Sequence, residues 1–257
     1  MSVKIVIAGA CGRMGQAIAR AALDDPACAL AAVVEAPGHA AAGRAYDSVI
    51  GCSVPQGLRV EEDARRALAQ GDVLIEFTSP EATVTHAKLA QELRKPMVIG
   101  TTGLSESQMN TLQAAANAVP LLISPNMSLG VTVLFELART AAQRLGAAYD
   151  VEIVEHHHRQ KKDAPSGTAK RLAHVLAEAR RQPVNAIPVH AVRAGDIVGD
   201  HTVLLAGPSE RLELTHRAHS RDVFAQGAIR AACFLVGQKP GLYDMSHVVR
   251  AAASSFP

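Results

Sequence analysis

VKIVIAGACGRMG, residues 3–15, is the stretch that predicts how the first half of the chain folds. Residues 3–8 are rich in β-branched side chains and predict a short buried strand. Gly9, Gly12 and Gly15 follow at once, and an apolar periodic run after them predicts a helix. This order is the context of a dinucleotide fingerprint, because glycine lets the backbone approach a pyrophosphate at the helix N-terminus.

A second predicted strand, residues 30–34, ends at Glu35, twenty residues beyond Gly15. An acid at this spacing is typical of the group that binds the ribose hydroxyls of a dinucleotide. The combination favours a cofactor site, and a glycine turn with a purely structural use is the alternative. Arg13 lies between the last two glycines and is either an anion contact or a solvated loop residue.

Strands and helices continue to alternate as far as residue 127. Residues 72–77, 96–99 and 121–123 predict strands, and helical patterns separate them. Repeated βα units predict an α/β fold, a Rossmann-like, doubly wound parallel sheet with right-handed crossovers. Ligands bind at the carboxyl ends of such strands. The residues placed there are Phe77, Thr78, Gly100, Thr101, Thr102, Ser124, Pro125, Asn126 and Met127.

EHHHRQKKDAPSGT, residues 155–168, concentrates three histidines, one arginine and two lysines. Residues 149–154 alternate between polar and apolar and predict a strand that leads into this segment. If the alternation continues, the segment presents two opposite sides. His157, Arg159 and Lys161 then share one side, and His156, His158 and Gln160 share the other.

The end of this segment predicts an anion site. Ser166 or Thr168 can cap a helix that begins here, and Gly167 allows a ligand to approach the N–H groups of its first turn. An anion cradle beside a histidine and a lysine suggests proton transfer to a negatively charged substrate. A basic surface loop, a nucleic-acid patch and a metal site are the alternatives. A metal is not expected, because neighbouring strand residues point apart and no Cys or acidic partner lies at ligand spacing.

The composition narrows the class of protein. The 257 residues suffice for one large domain or two small ones, and 48% apolar residues suit a sizeable core. A net charge of +2 with 3% aromatic residues disfavours nucleic acid as the main partner. The apolar runs are too short for a membrane span, and the N-terminus lacks the shape of a signal peptide. The four cysteines show no paired spacing, so reduced thiols and a cytoplasmic location are expected.

Beyond residue 127 the pattern predicts a different layer. Helices are predicted over 128–145, from about 166 to 181 and over 222–236, with strands at 149–156, 188–194, 201–206 and 211–218. A helix pair against a mostly antiparallel or mixed open sheet is an α+β layer. Val203, Leu205, Leu212 and Leu214 are predicted on its inner face, and Asp196 and Gly199 in a turn.

The predicted domains are therefore 1–127 with 238–257, for the dinucleotide, and 128–237, for substrate binding and oligomerisation. The last twenty residues are expected to return to the first sheet near Tyr243, Asp244 and Met245. A small open sheet often buries its second face in an oligomer.

Seven stretches, in order along nearly the whole chain, carry a resemblance to a known family. They are GACGRMG (9–15), EFTSP (76–80), GTTG (100–103), SPNMSLG (124–130), EHHHRQKKDAPSGT (155–168), RAGDIVGDHT (193–202) and LELTH (212–216). With them the chain resembles the dihydrodipicolinate (4-hydroxy-tetrahydrodipicolinate) reductases of lysine and diaminopimelate biosynthesis. The resemblance implies hydride transfer from NADH or NADPH to a cyclic imine dicarboxylate, giving tetrahydrodipicolinate, and a homotetramer joined through the C-terminal sheets.

The resemblance also implies roles for individual residues. His157 is the implied proton donor and acceptor, and Lys161 the implied proton donor. His158, Gly167 and Thr168 are implied to hold a substrate carboxylate. The residues implied to surround the cofactor are Gly9, Ala10, Cys11, Gly12, Arg13, Met14, Glu35, Gly100, Thr101, Thr102, Ser124, Pro125, Asn126 and Met127. Arg159 either steers the anion or braces the loop.

The chain departs from the family pattern at two places. NADPH-using members often carry a basic residue after the ribose-binding acid, whereas Ala36 follows Glu35 here and Ser79 is uncharged. NADH is therefore the favoured cofactor, unless Arg44 or His39 supplies the missing cation. The segment 182–192 is also shorter than the glycine-rich connection common in the family, which bears on the edge of the tetramer.

Two other functions compete with this interpretation. A paralogous amine or amino-acid dehydrogenase would keep the cofactor groove and change the pocket. A dinucleotide sensor without catalysis is expected to have lost its proton donor, whereas Lys161 is present here.

Overall fold

The computed structural model describes residues 2–253, and the chain divides into two units. The first consists of Met1–Met127 and Phe224–Pro257, and the second of Ser128–Val223. The predicted domains share the division after residue 127 but differ in the helix that follows residue 223. That helix packs within the first unit, where a Cβ on Gly227 would lie 1.7 Å from the Met127 carbonyl oxygen.

Eleven strands and nine α-helices cover the described residues. The strands are β1 (Val3–Ala8), β2 (Cys28–Val34), β3 (Val60–Glu61), β4 (Val73–Glu76), β5 (Met97–Ile99), β6 (Pro120–Ile123), β7 (Asp150–His157), β8 (Val189–Arg193), β9 (Gly199–Ala206), β10 (Arg211–Ala218) and β11 (Gly241–Tyr243). The helices are α1 (Arg13–Asp24), α2 (Asp47–Ile50), α3 (Ala64–Gln70), α4 (Pro80–Leu93), α5 (Glu106–Ala116), α6 (Leu129–Leu145), α7 (Gly167–Arg180), α8 (Asp222–Leu235) and α9 (Met245–Ala253).

The first unit contains a seven-stranded parallel sheet in the order β11-β6-β5-β4-β1-β2-β3. Its central strands are buried on both faces, as expected where helices cover a parallel sheet. The predicted doubly wound α/β fold is confirmed. β11 pairs with β6 through Tyr243 and Leu122, so the predicted return of the chain to this sheet is also confirmed.

The second unit contains a four-stranded mixed sheet in the order β10-β9-β7-β8. β7 pairs with β8 in parallel and with β9 antiparallel, while α6 and α7 pack beside each other against the sheet. Every second residue of β7 and β9 is buried, which leaves the other face of the sheet more open. The predicted α+β layer is confirmed.

The predicted inner face is confirmed by the register, because Leu212 pairs with Leu205 and Leu214 pairs with Val203. Leu212 is nevertheless 40% exposed, because it lies on the edge strand β10, whereas Val203 and Leu205 are fully buried.

One detail of the predicted second layer is wrong. Gly199 is not in the turn with Asp196 but is the buried first residue of β9. A Cβ there would lie 3.1 Å from His157 Nε2, so a side chain would crowd that imidazole.

The predicted alternation through residue 161 is also wrong, because β7 ends at His157 and a turn follows. Arg159 and Lys161 therefore do not share a strand face with His157. Within residues 2–253, none of the helices combines the length and the apolar character that a bilayer crossing requires.

Candidate active site

The turn between β1 and α1 brings three backbone segments into close contact. Gly9 has a φ of +75°, a conformation that L side chains rarely adopt, and a Cβ there would lie 2.5 Å from the Phe77 carbonyl oxygen. A Cβ on Gly15 would lie 2.1 Å from the Gly9 carbonyl oxygen. Both positions thus require glycine, and the turn leaves room for a ligand at the N-terminus of α1.

Glu35 lies at the end of β2 and faces this turn. Its Oε1 accepts a hydrogen bond of 2.7 Å from the Cys11 N–H. The buried Tyr46 hydroxyl donates to the Ala10 carbonyl oxygen at 2.8 Å and holds the turn from below. Burial, followed by the Glu35 carboxylate, raises the pKa of the Cys11 thiol to about 11, so this thiol is uncharged at neutral pH.

A cavity of about 300 Å³ opens beside the turn. Its lining consists of Gly9, Cys11, Gly12, Glu35, His39, Phe77 and Thr78. Close backbone approach, a helix N-terminus and an oriented carboxylate fit the pyrophosphate and the ribose of a dinucleotide. The residues predicted from the glycine turn and Glu35 are therefore brought together by the structure.

The other predicted cofactor residues differ in how far their side chains are exposed to solvent. Thr101 is buried, and its Oγ1 accepts a hydrogen bond of 3.0 Å from the Thr78 N–H. Ser124 Oγ donates to the Asn126 carbonyl oxygen at 2.6 Å and shapes the segment after β6. The side chains of Ala10 and Met127 are buried, whereas Arg13, Thr102 and Pro125 are exposed and Met14, Gly100 and Asn126 are partly exposed.

Glu76, at the end of β4, is a buried acid that was not among the predicted site residues. Its carboxylate contacts the Thr78 hydroxyl, and its Oε2 lies 2.5 Å from Nδ1 of His86 on α4. The Thr83 hydroxyl lies 3.5 Å from Oε1. This cluster ties α4 to the strand end that carries Thr78. A charged residue inside a continuous apolar strand was the sequence signal for it.

A second buried acid, Glu155, is the centre of the site in the second unit. Glu155 and His157 lie two residues apart on β7 and point to the same buried face. The two terminal guanidinium nitrogens of Arg193 donate hydrogen bonds of 3.0 and 2.8 Å to the Glu155 carboxylate. The Ser166 N–H donates at 3.1 Å, and Nδ1 of His157 contacts Oε2.

These contacts set the charge states of the pair. Burial alone would raise the pKa of Glu155, but the hydrogen bonds from Arg193, His157 and Ser166 outweigh it and hold that pKa below its ordinary value. Burial lowers the pKa of His157, Glu155 opposes this, and the charges of Lys161 and Arg193 add to it. The carboxylate is thus ionised and the imidazole neutral at neutral pH.

His201 packs against this pair from β9. Its ring and the His157 ring meet edge to face with centroids 5.2 Å apart, and its Nε2 lies 3.2 Å from Ser166 Oγ. Burial, followed by the charge of His157, lowers the pKa of His201 to about 4. Among residues 2–253, Nδ1 of His201 and Nδ1 of His158 are buried without a hydrogen-bond partner. A ligand or a water molecule can supply a hydrogen-bond partner for each of these two nitrogens.

Lys161 lies in the turn after β7, not on the strand. Its Nζ forms an ion pair of 2.8 Å with Asp163 Oδ1, and its backbone N–H donates to the His158 carbonyl oxygen. The Lys161 side chain is 23% exposed, so it is neither buried in the core nor fully solvated. Arg159 is exposed in the same turn, and His156 is partly buried on the opposite face of β7 from His157.

The N-terminus of α7 completes the site. Of the two predicted caps, Ser166 is the N-cap, and its Oγ accepts a hydrogen bond of 3.2 Å from the Ala169 N–H. Gly167 is exposed, and a Cβ there would have no heavy atom within 4 Å. The first turn of this helix is therefore open to an anion.

The structure thus brings His157, Lys161, His158 and the Gly167 helix start into one unit, as the sequence predicted. Three participants were missed as site residues: Glu155, Arg193 and His201. The spacing of Glu155 and His157 on a predicted strand was a usable signal. Arg193 and His201 lie within the 193–202 stretch, but that stretch does not indicate that they contact Glu155 and His157, because their proximity depends on strand pairing.

Comparisons with known proteins agree with this geometry. The family model described as "Dihydrodipicolinate reductase, N-terminus" matches residues 3–127, and "Dihydrodipicolinate reductase, C-terminus" matches residues 130–249. The 4-hydroxy-tetrahydrodipicolinate reductase of Anaeromyxobacter dehalogenans strain 2CP-1 is 46% identical, covering 96% of this chain and 97% of its own. That of Syntrophus aciditrophicus is 44% identical over 96% and 98%.

Solved structures show the same fold. A dihydrodipicolinate reductase from Paenisporosarcina sp. TG-14, solved with dipicolinate bound, has a TM-score of 0.81 at 24% identity, covering 95% of this chain and 98% of that one. An amine dehydrogenase from Mycobacterium smegmatis has a TM-score of 0.64 at 12% identity, over 97% and 96%. The chain belongs to the dihydrodipicolinate reductase family.

Proposed function

We propose that this protein is a 4-hydroxy-tetrahydrodipicolinate reductase of lysine and diaminopimelate biosynthesis. It reduces a cyclic imine dicarboxylate to tetrahydrodipicolinate, and a nicotinamide dinucleotide supplies the hydride when bound. The observation that carries the proposal is the second unit's combination of a neutral buried His157, a nearby lysine and an open helix N-terminus. These groups suit an anionic substrate that must receive a proton.

The helix start of α7 binds a substrate carboxylate in this proposal. The N–H groups of its first turn carry partial positive charge, and the exposed Gly167 adds no side chain to block the approach. The partly buried His158 lies before the turn and has a buried Nδ1 that lacks a partner among the described residues. Gly167, Thr168 and His158 therefore form the proposed carboxylate site.

Lys161 is the proposed proton donor and His157 the proposed proton donor and acceptor. Asp163 holds the Lys161 ammonium group in an ion pair. A proton that can be transferred therefore lies close to the proposed carboxylate site. His157 is kept neutral by burial and presents its second nitrogen, Nε2, for proton exchange.

Gly9 to Met14, Glu35, Gly100 to Thr102 and Ser124 to Met127 form the proposed cofactor site in the first unit. NADH is the favoured cofactor, because the Glu35 carboxylate would repel a 2′-phosphate and the neighbouring Ala36 carries no compensating charge. His39 lines the same cavity and Arg44 is exposed nearby in sequence. Ala36→Arg is expected to improve the use of NADPH.

A cytoplasmic homotetramer is also proposed. Its support is the more open outer face of the second sheet, where Val192 pairs with His156 and is 37% exposed. Sedimentation equilibrium of wild type and Val192→Lys tests the assembly. A wild-type monomer at micromolar concentration would contradict it.

The deciding experiment for the function is a coupled assay. Purified protein receives the imine formed from pyruvate and aspartate semialdehyde by its synthase, with NADH and, separately, NADPH. Rapid oxidation with a higher kcat/KM for NADH is expected. If neither cofactor is oxidised although both bind, the protein acts on another substrate, as a paralogous dehydrogenase would. Equal or better kcat/KM with NADPH would contradict only the cofactor preference.

A further inference from the structure

We propose that Glu155 and Arg193 form a positioning pair that holds His157 in the Nδ1–H tautomer and fastens the Lys161 turn to β7. The role of this pair in catalysis rests on the proposed function. The hydrogen bonds that the pair makes do not depend on that function.

The Glu155 carboxylate is fully buried and its acceptor capacity is used completely. It receives two hydrogen bonds from Arg193, one from the Ser166 N–H and the contact with Nδ1 of His157. An ionised carboxylate only accepts hydrogen bonds, through about four lone-pair positions. Each position therefore has a donor, and a buried charge without such donors would be strongly destabilising.

The tautomer of His157 follows from this arrangement. Because the carboxylate is an acceptor only, Nδ1 of His157 must be the nitrogen that carries the proton. Nε2 then has the free lone pair of the neutral ring and is the nitrogen available for proton exchange. A carboxylate that accepts a hydrogen bond from a histidine sets the orientation of the ring and determines which ring nitrogen carries the proton.

Arg193 extends the pair to the turn that carries Lys161. The nitrogen that donates to Glu155 Oε1 also donates to the Asp163 carbonyl oxygen at 2.6 Å. The Asp163 carboxylate in turn holds Lys161 Nζ at 2.8 Å. One guanidinium thus connects β7, β8 and the turn, and the planar fork of arginine suits this bidentate contact better than lysine would.

Four charged or titratable groups face His157 from the elements around it. Glu155 lies on the same strand, Arg193 on β8, His201 on β9 and Lys161 on the turn. The carboxylate raises the pKa of His157, while the two cations lower it. Removal of the Glu155 charge is therefore expected to lower the pKa of His157 further.

The test is ¹⁵N NMR of imidazole-labelled protein, with His157 assigned by its loss in His157→Asn. In wild type the shifts should report the Nδ1–H tautomer. In Glu155→Gln the tautomer should become mixed or reversed, and the pKa of His157 should fall. Turnover should drop about 10²-fold or more at unchanged KM for NADH, since an amide cannot hold the same proton arrangement.

Glu152→Gln is the matched control. Glu152 lies on the same strand, and its Oε2 pairs with Nε2 of His190 at 2.7 Å, but this pair is about half exposed. The control should leave turnover and the His157 signals unchanged. Arg193→Lys keeps the cation without the fork, so it should retain the tautomer and lose most of the turnover.

The outcomes separate the two proposals. A wild-type Nε2–H tautomer overturns the positioning pair without the need for any variant. Unchanged His157 signals in Glu155→Gln overturn it even if that variant is less stable. If wild type shows the Nδ1–H tautomer but does not reduce the imine, the pair stands and the proposed function fails.

Discussion

The two helices that begin at the proposed ligand sites, α1 and α7, start in different ways. α1 begins after Gly12, which contributes no side-chain cap, and its turn is shaped by backbone contacts at Gly9 and Gly15. α7 begins after Ser166, whose side chain caps the helix and whose N–H is held by a buried carboxylate.

The difference shows what each site has to do. A cofactor that brings its own chemistry needs a close, rigid backbone surface and one oriented acid, Glu35. A site that moves a proton needs charged side chains whose states are set by burial and by neighbours, as at Glu155 and His157. Four predictions test this contrast, from the largest effect to the smallest.

Loss of the proton-transfer groups should affect only the second site. Lys161→Ala and His157→Ala should each lower kcat by about 10²- to 10⁴-fold, because each removes a group that moves a proton. Binding of NADH, followed by fluorescence titration, should stay at the wild-type level since the glycine turn is untouched. A double variant with near-normal turnover would remove both residues from the mechanism.

The buried histidine of the second site should make the stability dependent on pH. The pKa of His201 is about 4 in the fold against an ordinary 6.5, so the unfolded chain binds its proton first. Stability should be full above pH 6.5 and should fall by up to about 3 kcal/mol towards pH 4, at about 1.4 kcal/mol per pKa unit. Urea denaturation across this range measures it.

His201→Gln should flatten that pH dependence, although His157 and His216 retain lowered pKa values and add to it in the same direction. His190→Gln is the control, because His190 is exposed and paired at the surface. Parallel curves for wild type and His201→Gln would show that this histidine does not contribute.

The backbone-built site should be sensitive to a single methyl group. Gly15→Ala places a Cβ only 2.1 Å from the Gly9 carbonyl oxygen, so the turn must shift. The expected costs are about 1–3 kcal/mol of unfolding free energy and a weaker affinity for NADH. Thermal unfolding and titration measure both. Wild-type values for the two would mean that the turn does not need this close approach.

The same change at the other helix should be mild. Gly167→Ala meets no atom within 4 Å, and alanine is the better helix former, so the Tm should be unchanged or slightly higher. The KM for the imine should rise by about 5- to 10-fold if a carboxylate approaches this helix start. An unchanged KM would place the substrate carboxylate elsewhere, and a lower Tm would show hidden crowding.

Much of the fold was predictable because it depends on short-range patterns. The strand, glycine turn and helix of residues 3–24 follow from β-branched residues, glycines and apolar periodicity, and the structure contains them as β1 and α1. The helix start at Ser166 follows from its capping chemistry. The end of β7 at His157 was missed, because an alternating pattern does not indicate where hydrogen bonding to the neighbouring strands stops.

The sequence by itself determined which groups are present at each site and, through the alternation of β7, that Glu155 and His157 share a face. Only the tertiary structure decided their partners. The pairing of β7 with β8 places Arg193 opposite His157, and the pairing with β9 places His201 opposite Glu155. A buried charge takes its proton state from the donors around it, and strand register determines which donors those are.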